Sequence, residues 1–452
     1  MTDAQRAATT AADGRRPRRG PRAALAAATA LPVLAACGVG AEPVHHPELS
    51  DGEVTISFAW WGADARTQQT LEAIELFERE HPNIEVDPQY SDWVGYWDRL
   101  ATTTAAGDMP DVTQFDQLYL ASYADRGALL DLATVSNILD PSALGEDILE
   151  SGRVGGDLYA LATGATTNGI LINTTLFERY GVELPDTADW TWEEFERVAV
   201  ELTEASDGEV HGVSPFGIDT FSLTVWARQH GGNLFDDEGN LILDADVLAG
   251  YWQRVRDFVA SGAAPSVPHI SESIGLPLDQ TPMVTGETAL GFIPAGQFIA
   301  FQAAGPEFDY ALADWPTDED APEGFQYLKP SMYWAAASTT EHPAEAALLI
   351  DFLVNDTRVA DIFGLDRGEP GNPAFREAMR DSLDEPGQES LAFTEAMAEE
   401  VGDTPPITPN GASDVDLVLQ RHFLDMLHGD ASPREAAEGF LGELNDSITA
   451  AS

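Results

Sequence analysis

The stretch VTISFAWWGADARTQQTLEAIELFEREHPNIEVDPQY, residues 54–90, contains the pattern that decides the fold. Apolar and polar residues alternate over its first five positions, which is typical of a strand with one buried face. Leu71, Ile74 and Phe77 then recur every three residues, so we predict an amphipathic helix over 67–80. The last seven positions predict a second strand. The stretch therefore indicates a strand–helix–strand unit.

The same alternation continues along the chain, with a helix predicted over 94–106 and a strand over 112–115. A further strand is predicted over 169–172 and a helix over 192–205. Strands that alternate with helices imply an α/β fold with a mostly parallel sheet covered on both faces. In such sheets, ligands bind beyond the carboxyl ends of the strands. We therefore expect a binding site at that edge.

The amino terminus has the order of a secretory signal. Several arginines precede the apolar stretch Ala23–Ala36, which is shorter than the about 20 residues of a membrane span. Its end, Leu34 to Cys37, resembles the lipobox of bacterial lipoproteins, in which the cysteine is lipidated. We expect a signal peptide over 1–36, lipidation of Cys37 and a flexible tether over 37–52. Arg18 and Arg19 leave the Sec and twin-arginine routes both open.

Charge and cysteine content limit the partners and the architecture. There are 77 acidic against 23 basic residues, a net charge of −54, which excludes nucleic acid and anionic lipid as expected partners. Cys37 is the only cysteine, so no intramolecular disulfide forms. A chain of 452 residues exceeds what one core usually serves, which favours two domains.

Seven stretches along the chain share one resemblance. They are FAWWGADAR (58–66), DMPDVTQF (108–115), YADRGALLDL (123–132), ILINTTLF (170–177), TWEEF (191–195), GETALG (286–291) and the helix-like segment 343–353. In order and spacing they resemble the maltose-binding-protein-like family 1 of extracellular solute-binding proteins of carbohydrate ABC transporters. The resemblance covers most of residues 53–440. One departure is Gly296 and Gln297, which stand where some relatives have a tryptophan.

The resemblance implies a periplasmic-binding-protein-like type II fold: two discontinuous α/β lobes with a hinge and a ligand cleft between them. Lobe one is expected over 53–162 plus 324–358, and lobe two over 163–316 plus 359–452. The hinge crossing is expected over 317–323, with further crossings near residues 163–165 and near Ala360. The acidic, proline-containing hinge segment is independently typical of an exposed connection.

A sugar site needs flat aromatic faces for ring C–H groups and fixed polar groups for hydroxyls. Trp60 and Trp61 are adjacent on a strand and face opposite ways, so one is expected to reach the cleft. Helix capping or an ion pair remains open for Asp64 and Arg66, as do a core position for Trp226 and a surface salt bridge for Arg367. The candidate ligand contacts are Trp60, Trp61, Asp64, Arg66, Trp93, Tyr96, Asp116, Tyr119, Asn168, Phe221, Trp226, Gln297, Tyr333, Trp334 and Arg367.

The function expected from the resemblance is capture of a sugar or short oligosaccharide at the outer face of the cell membrane. The receptor, expected to be a monomer, would deliver the ligand to ABC permease subunits and indirectly to their ATPase. No catalytic residue, metal or cofactor is expected, since the chain lacks a Gly-x-Ser-x-Gly elbow and phosphate loops. A lipoprotein glycoside hydrolase, and a module that binds or senses glycans without transport, remain as alternatives.

Overall fold

The computed structural model describes residues 46–188, 190–318 and 320–451. The predicted signal peptide, Cys37 and residues 38–45 of the predicted tether lie outside the described residues. The strands are β1 (Val54–Trp61), β2 (Ile84–Ser91), β3 (Val112–Phe115), β4 (Arg153–Val154), β5 (Asp157–Leu158), β6 (Ala160–Thr166), β7 (Asn168–Asn173), β8 (His211–Val213), β9 (Thr288–Pro294), β10 (Tyr310–Ala313) and β11 (Lys329–Ala336).

Helices follow most of the strands. They are α1 (Asp64–Glu80), α2 (Trp93–Ala106), α3 (Gln117–Asp125), α4 (Glu146–Glu150), α5 (Thr174–Tyr180), α6 (Trp192–Ala205), α7 (Thr220–Gln229), α8 (Ala245–Ser261), α9 (Val267–Ser273), α10 (Phe298–Ala304), α11 (Pro343–Asn355), α12 (Thr357–Phe363), α13 (Pro373–Met379), α14 (Glu385–Met397), α15 (Val415–His428) and α16 (Pro433–Ala451).

The elements predicted from the sequence are confirmed, with small changes at their ends. α1 begins three residues earlier than predicted, and α2 begins at Trp93 because the Asp92 carboxylate accepts the Gly95 N–H at 3.0 Å. β3 has the predicted bounds. α6 begins at a reciprocal capping box in which Thr191 and Glu194 satisfy each other's backbone N–H groups.

The first sheet has the strand order β2-β1-β3-β11-β6. β1 pairs in parallel with β2 and with β3, which places Trp60 opposite Tyr90 and Phe58 opposite Val112. β11 runs antiparallel to β3 and β6. Helices cover both faces, so Phe58 and Trp60 are fully buried, as a sheet of this class requires. The prediction of a mostly parallel sheet is confirmed, with β11 as the reversed strand.

The second sheet has the order β10-β7-β9-β8, and here β7 is the reversed strand. Both reversed strands follow a passage of the chain from one sheet to the other. Only Thr167 separates β6 in the first sheet from β7 in the second, and the chain returns between β10 and β11. The two sheets are thus built from discontinuous segments.

Each sheet has its own hydrophobic core, and these two sheets with their helices are called the first and second lobes. Phe58, Phe115 and Trp334 are fully buried in the first core, while Trp192 and Phe195 are buried in the second. Each such side chain contributes about 1.5–3 kcal/mol of burial free energy, so each lobe has a substantial core of its own.

The lobe boundaries differ from the expectation in three places. Tyr327 is buried in the core of the second lobe and Phe325 packs against it, so the chain returns to the first lobe after Tyr327 rather than over 317–323. Thr166 still belongs to β6 of the first sheet, so the first passage lies at Thr167 rather than at 163–165. The expected third crossing near Ala360 is wrong, because Ala360, Phe375 and Met379 are buried in the core of the first lobe. α15 and α16 contribute to the core of the second lobe, so α12 and α13 precede the last passage. Packing against α1 keeps α12 in the first lobe.

Candidate functional site

Two cavities lie between the lobes. The first, called the Trp93 cavity, has a volume of about 290 Å³. The second, called the Arg66 cavity, has a volume of about 530 Å³. Asp219, Phe221 and Lys329 line both cavities, so the two share a boundary. Together the two cavities form the cleft between the lobes.

The first-lobe wall of the Trp93 cavity comes from loops at the carboxyl ends of β2 and β3. Trp93 is the first residue of α2; its ring is nearly perpendicular to those of Trp61 and Trp97 at 5.0 and 5.5 Å, and 39% of its surface remains exposed. Asp116 caps α3, since its Oδ1 accepts the Leu118 N–H at 2.9 Å. Both side chains therefore lie where the α/β pattern places ligand contacts.

The second-lobe wall comes from the first turn of α7. Asp219 caps this helix: its Oδ1 accepts the Ser222 N–H at 2.7 Å and its Oδ2 accepts the Ser222 hydroxyl at 3.0 Å. Asp416 of α15 accepts the Thr220 N–H at 2.9 Å. Phe221 follows, and its ring meets Tyr327 edge to face at 5.6 Å. Helix starts from both lobes thus face the same space.

Three carboxylates and one ammonium line the Trp93 cavity: Asp116, Asp219, Asp416 and Lys329. Burial raises the pKa of Asp116, and the positive charge of Lys329 opposes that rise. Burial also raises the pKa of Asp219, the Ser222 N–H opposes this, and the charge of Asp416 adds to the rise. The cavity walls therefore offer three carboxylates as hydrogen-bond acceptors, and only one positive charge stands beside them.

The Arg66 cavity has its own polar wall. Arg66 Nε lies 2.6 Å from Asp366 Oδ2, and both residues line the cavity with Ser331 and Gly368 of the first lobe. Gln297, from the segment between β9 and α10, lines the opposite side and is exposed. Arg66 therefore forms the ion pair that was considered for it and also lines the cleft.

Five of the fifteen candidates line the cleft: Arg66, Trp93, Asp116, Phe221 and Gln297. The other ten lie elsewhere. Asp64 is exposed at the start of α1 and lines neither cavity. An acidic residue in the first turn of a helix interacts favourably with the helix dipole.

Trp60 and Trp61 face opposite sides of β1, as expected, but neither lines the cleft. Trp60 is fully buried and stacks on Tyr90 at 5.3 Å. Trp61 is 8% exposed and packs at 5.0 Å against Trp93. Neither ring reaches the cleft, because Trp60 packs on Phe58 and Tyr90 within the sheet and Trp61 packs on Trp93 and Tyr96 of α2.

Tyr96, Tyr119, Tyr333 and Trp334 form parts of the core of the first lobe. The Tyr96 hydroxyl donates to the Gln114 carbonyl at 2.5 Å, and Tyr119 stacks on Trp97 at 4.0 Å. Tyr333 and Trp334 are fully buried on β11, where Trp334 packs on Phe58 and Phe363. These four residues pack in the core of the first lobe and do not line the cleft.

Two further candidates, Trp226 and Asn168, are also buried away from both cavities. Trp226 stacks on Tyr251 in the core of the second lobe and donates its Nε1–H to the Val247 carbonyl, so the core alternative holds. Asn168 is fully buried and donates to the Phe221 carbonyl at 3.3 Å. That contact makes Asn168 a positioning residue for Phe221.

Arg367 is buried and lines neither cavity, and its Nη1 lies 3.6 Å from Asp366 Oδ2, so the expected salt bridge is present but its arginine is not at the surface. Its Nη2 donates to Thr70 Oγ1 at 2.6 Å, and the guanidinium lies 4.2 Å from the Phe363 ring centroid. Burial lowers its pKa to about 9. The residue fastens the 365–368 turn to α1.

Sequence reasoning missed Lys329, Asp219 and Asp416. Lys329 had a usable signal, because it is the only lysine of the chain. Asp219 directly precedes α7 and is a plain N-cap in sequence. Asp416 lies nearly 200 positions after Thr220 and had no signal, since only the docking of α15 beside α7 brings the two together.

Neither a membrane span nor a metal centre is found in the described part of the chain. No helix among residues 46–188, 190–318 and 320–451 is long and apolar enough to cross a membrane. No group of three or more metal-ligating side chains occurs in the same residues.

Two curated proteins match part of the chain. A lipoprotein of Streptomyces antibioticus, uncharacterised and encoded in the 5' region of oleD, is 30% identical over 189 residues, 40% of this chain and 39% of that protein. An erythritol/L-threitol-binding protein of Mycolicibacterium smegmatis is 27% identical over 239 residues, 46% of this chain and 47% of that protein. The chain therefore spans less than half the length of these curated relatives.

A solved structure matches over nearly the whole fold. The periplasmic oligogalacturonide-binding protein of Yersinia enterocolitica, solved with saturated digalacturonic acid, superposes with a TM-score of 0.76 at 22% identity, covering 88% of this chain and 100% of that one. This likeness shows the two-lobed type II fold. The model of the family described as bacterial extracellular solute-binding protein matches residues 61–357. The chain belongs to the bacterial extracellular solute-binding protein family.

Proposed function

We propose that this protein is a lipid-anchored extracytoplasmic receptor that captures a sugar or short oligosaccharide and delivers it to an ABC importer. The observation that carries the proposal is the cleft wall. Aromatic side chains, Trp93 from the first lobe and Phe221 from the second, stand beside carboxylates that both lobes contribute. Sugar C–H groups pack on such rings, and sugar hydroxyls donate to such carboxylates.

The division of the wall between two lobes supports a hinge-closure mechanism. A ligand held between Asp116 of one lobe and Asp219 of the other contacts both only when the lobes are close. Its affinity for the closed form then exceeds its affinity for an open form, and this difference shifts the equilibrium towards closure. Chemistry on the ligand forms no part of this mechanism.

The relatives support the ligand class and the anchor. One is named for erythritol and L-threitol, one for oligogalacturonide, and one is a lipoprotein. All three named ligands are polyhydroxylated, which agrees with the acceptors in the cleft. The family to which the chain belongs is described as extracellular, in accord with an export signal ahead of residue 37.

A thermal-shift screen over polyols, monosaccharides and oligosaccharides tests the proposal. A ligand at 100 times its Kd stabilises the folded state by about 2.7 kcal/mol, which is a clear shift in Tm. We expect at least one such compound to raise the Tm. Uptake of that compound by cells that lack the receptor tests delivery. A protein whose Tm responds to no polyol or sugar would contradict the function.

A further inference from the structure

The single lysine of the chain, Lys329, lies in the cleft between the two lobes. The sequence has 23 Lys plus Arg residues, and Lys329 is the only lysine among them. It begins β11 of the first lobe and is half-buried. Its Nζ lies 5.7 Å from the ring centroid of Phe221 in the second lobe and donates to the Pro330 carbonyl at 3.3 Å. The ammonium therefore lies at the meeting point of the lobes.

Lys329 also stands on the boundary between the two cavities. Asp219, Phe221 and Lys329 line both the Trp93 cavity and the Arg66 cavity. The Trp93 cavity alone, at about 290 Å³, lies at the lower end of the about 300–1,000 Å³ typical of ligand sites. Lys329 and Phe221 contact each other at this boundary, so a ligand that fills both cavities runs alongside this pair.

We propose that Lys329 is the specificity-determining residue of the receptor: it holds a ligand of at least two sugar units where the two cavities join, by donating to an uncharged oxygen near the linkage between the units. This inference rests on the proposed function and names the substrate class of the same cleft. A monosaccharide in either cavity can contact Lys329, but it has no second unit and no linkage oxygen to which the ammonium can donate, so it gains less from this residue.

The side-chain chemistry supports a lysine in this role. An ammonium is a compact charge with three rotatable donors on a flexible stem, whereas an arginine has a fixed fork that favours carboxylates and phosphates. Every other basic side chain of the chain, histidine apart, is an arginine. At the junction, rotatable donors suit ring, hydroxyl and linkage oxygens that point in different directions.

The charges around Lys329 disfavour an anionic ligand at this point. Asp116, Asp219 and Asp416 line the same cavity, so three carboxylates stand against one ammonium. A ligand carboxylate beside Lys329 would meet this excess of negative charge, and each close like-charge contact lowers affinity. Uncharged oligosaccharides are therefore expected to bind more tightly than uronates of the same length.

A labelling experiment tests the contact without any substitution. In the purified full-length protein, Lys329 carries the only ε-amino group, so acetylation by an N-hydroxysuccinimide ester modifies it and the α-amino group alone. The probes are glucose, maltose and maltotriose; galactose, galactobiose and digalacturonate; and xylose with xylobiose. We expect the best oligosaccharide to slow Lys329 acetylation at least fivefold, with the α-amino group unchanged as the internal reference.

Calorimetry then measures the affinity of the protein for each sugar of the same panel. We expect the best di- or trisaccharide to bind at least tenfold more tightly than its own monosaccharide, and galactobiose more tightly than digalacturonate. Oligosaccharide binding without protection of Lys329, equal affinity for monomer and oligomer, or tighter binding of digalacturonate would each overturn the inference and leave the proposed function standing. If no sugar bound, the proposed function itself would fail.

Paired variants separate the contact from a structural effect. Lys329→Met removes the donors and keeps the stem, and we expect it to weaken the best oligosaccharide at least tenfold but its monosaccharide less than threefold. Arg197→Met removes one positive charge from an exposed i,i+4 pair with Glu201 outside the cleft, and is expected to change neither affinity. A uniform loss for both sugars with Lys329→Met would overturn the assignment.

Discussion

Asp416 Oδ1 accepts the backbone N–H of Thr220 at 2.9 Å, and this bond joins α15 near the carboxyl terminus to the first turn of α7 in the cleft wall. Asp416→Ala removes the acceptor and leaves a half-buried N–H without its partner. We expect a loss of about 1–2 kcal/mol in the free energy of unfolding, measured by urea denaturation. Asp416→Asn retains an acceptor oxygen and should lose less than half as much. Equal losses for the two variants would show that charge, and not this bond, is what matters.

Trp93 and Trp60 allow a paired test of site against core. Trp93 is 39% exposed in the Trp93 cavity, whereas Trp60 is fully buried. Trp93→Ala is expected to weaken sugar affinity at least tenfold and to cost about 1 kcal/mol of stability. Trp60→Ala is expected to cost about 3–5 kcal/mol, because it leaves a large cavity. Calorimetry and urea denaturation check the pair, and unchanged affinity for the Trp93 variant would reject its place in the site.

Asp116 has two functions that one substitution can separate. Its Oδ1 caps α3 through the Leu118 N–H, and its charge faces the cavity near Lys329. Asn caps helices about as well as Asp, so Asp116→Asn should leave stability within about 1 kcal/mol. Sugar affinity should fall at least tenfold, since an amide oxygen is a weaker acceptor for hydroxyls than a carboxylate. Asp116→Ala, in contrast, should lose both affinity and the cap.

Glu369 gives the protein a pH-dependent stability. It is 4% exposed, and burial raises its pKa from 4.5 to about 9; Thr394 and Arg376 oppose the rise, and Glu395 adds to it. Between those two pH values the folded protein holds a proton that the unfolded chain has lost. Stability therefore falls as pH rises through this window, by up to about 1.4 kcal/mol per pH unit from this group.

Glu369→Gln should remove this slope, because an amide does not titrate. We expect the variant to be less stable than or similar to the wild type at pH 5 and more stable at pH 8.5, measured by urea denaturation at both values. Glu377→Gln, on a side chain that is 84% exposed, serves as the control and should leave the wild-type slope unchanged. Parallel pH profiles for wild type and Glu369→Gln would contradict the assignment.

Lipidation of Cys37 is tested by Cys37→Ser. Without a thiol there is no acceptor for the lipid, and we expect the protein to move from the membrane fraction to the soluble fraction. Sugar affinity should stay within twofold, because the cleft residues lie between residues 66 and 416. A variant that stays with the membrane fraction would show that something other than Cys37 retains it.

Local sequence patterns predicted the strands and helices at the start of the first lobe but not which of their side chains are buried. The alternation over residues 54–115 was enough to predict β1, β2 and β3 with the two helices between them, and hence to place Trp93 and Asp116 at the carboxyl edge. It could not tell which tryptophans are covered. Trp60 lies in β1 and is buried against Phe58 and Tyr90, whereas Trp93 follows β2 and remains partly exposed in the cleft.

The sequence by itself determined the α/β class and the strand–helix order, because backbone periodicity is a property of short segments, and its seven motif stretches carried the resemblance to the family. Only the tertiary structure decided the composition of the cleft. Asp116, Asp219, Lys329 and Asp416 come from four separate regions of the chain and meet because α7, β11 and α15 pack around one space. It also placed Ala360 in the first lobe against the expected boundary. Burial and convergence depend on contacts between distant segments, which no local pattern records.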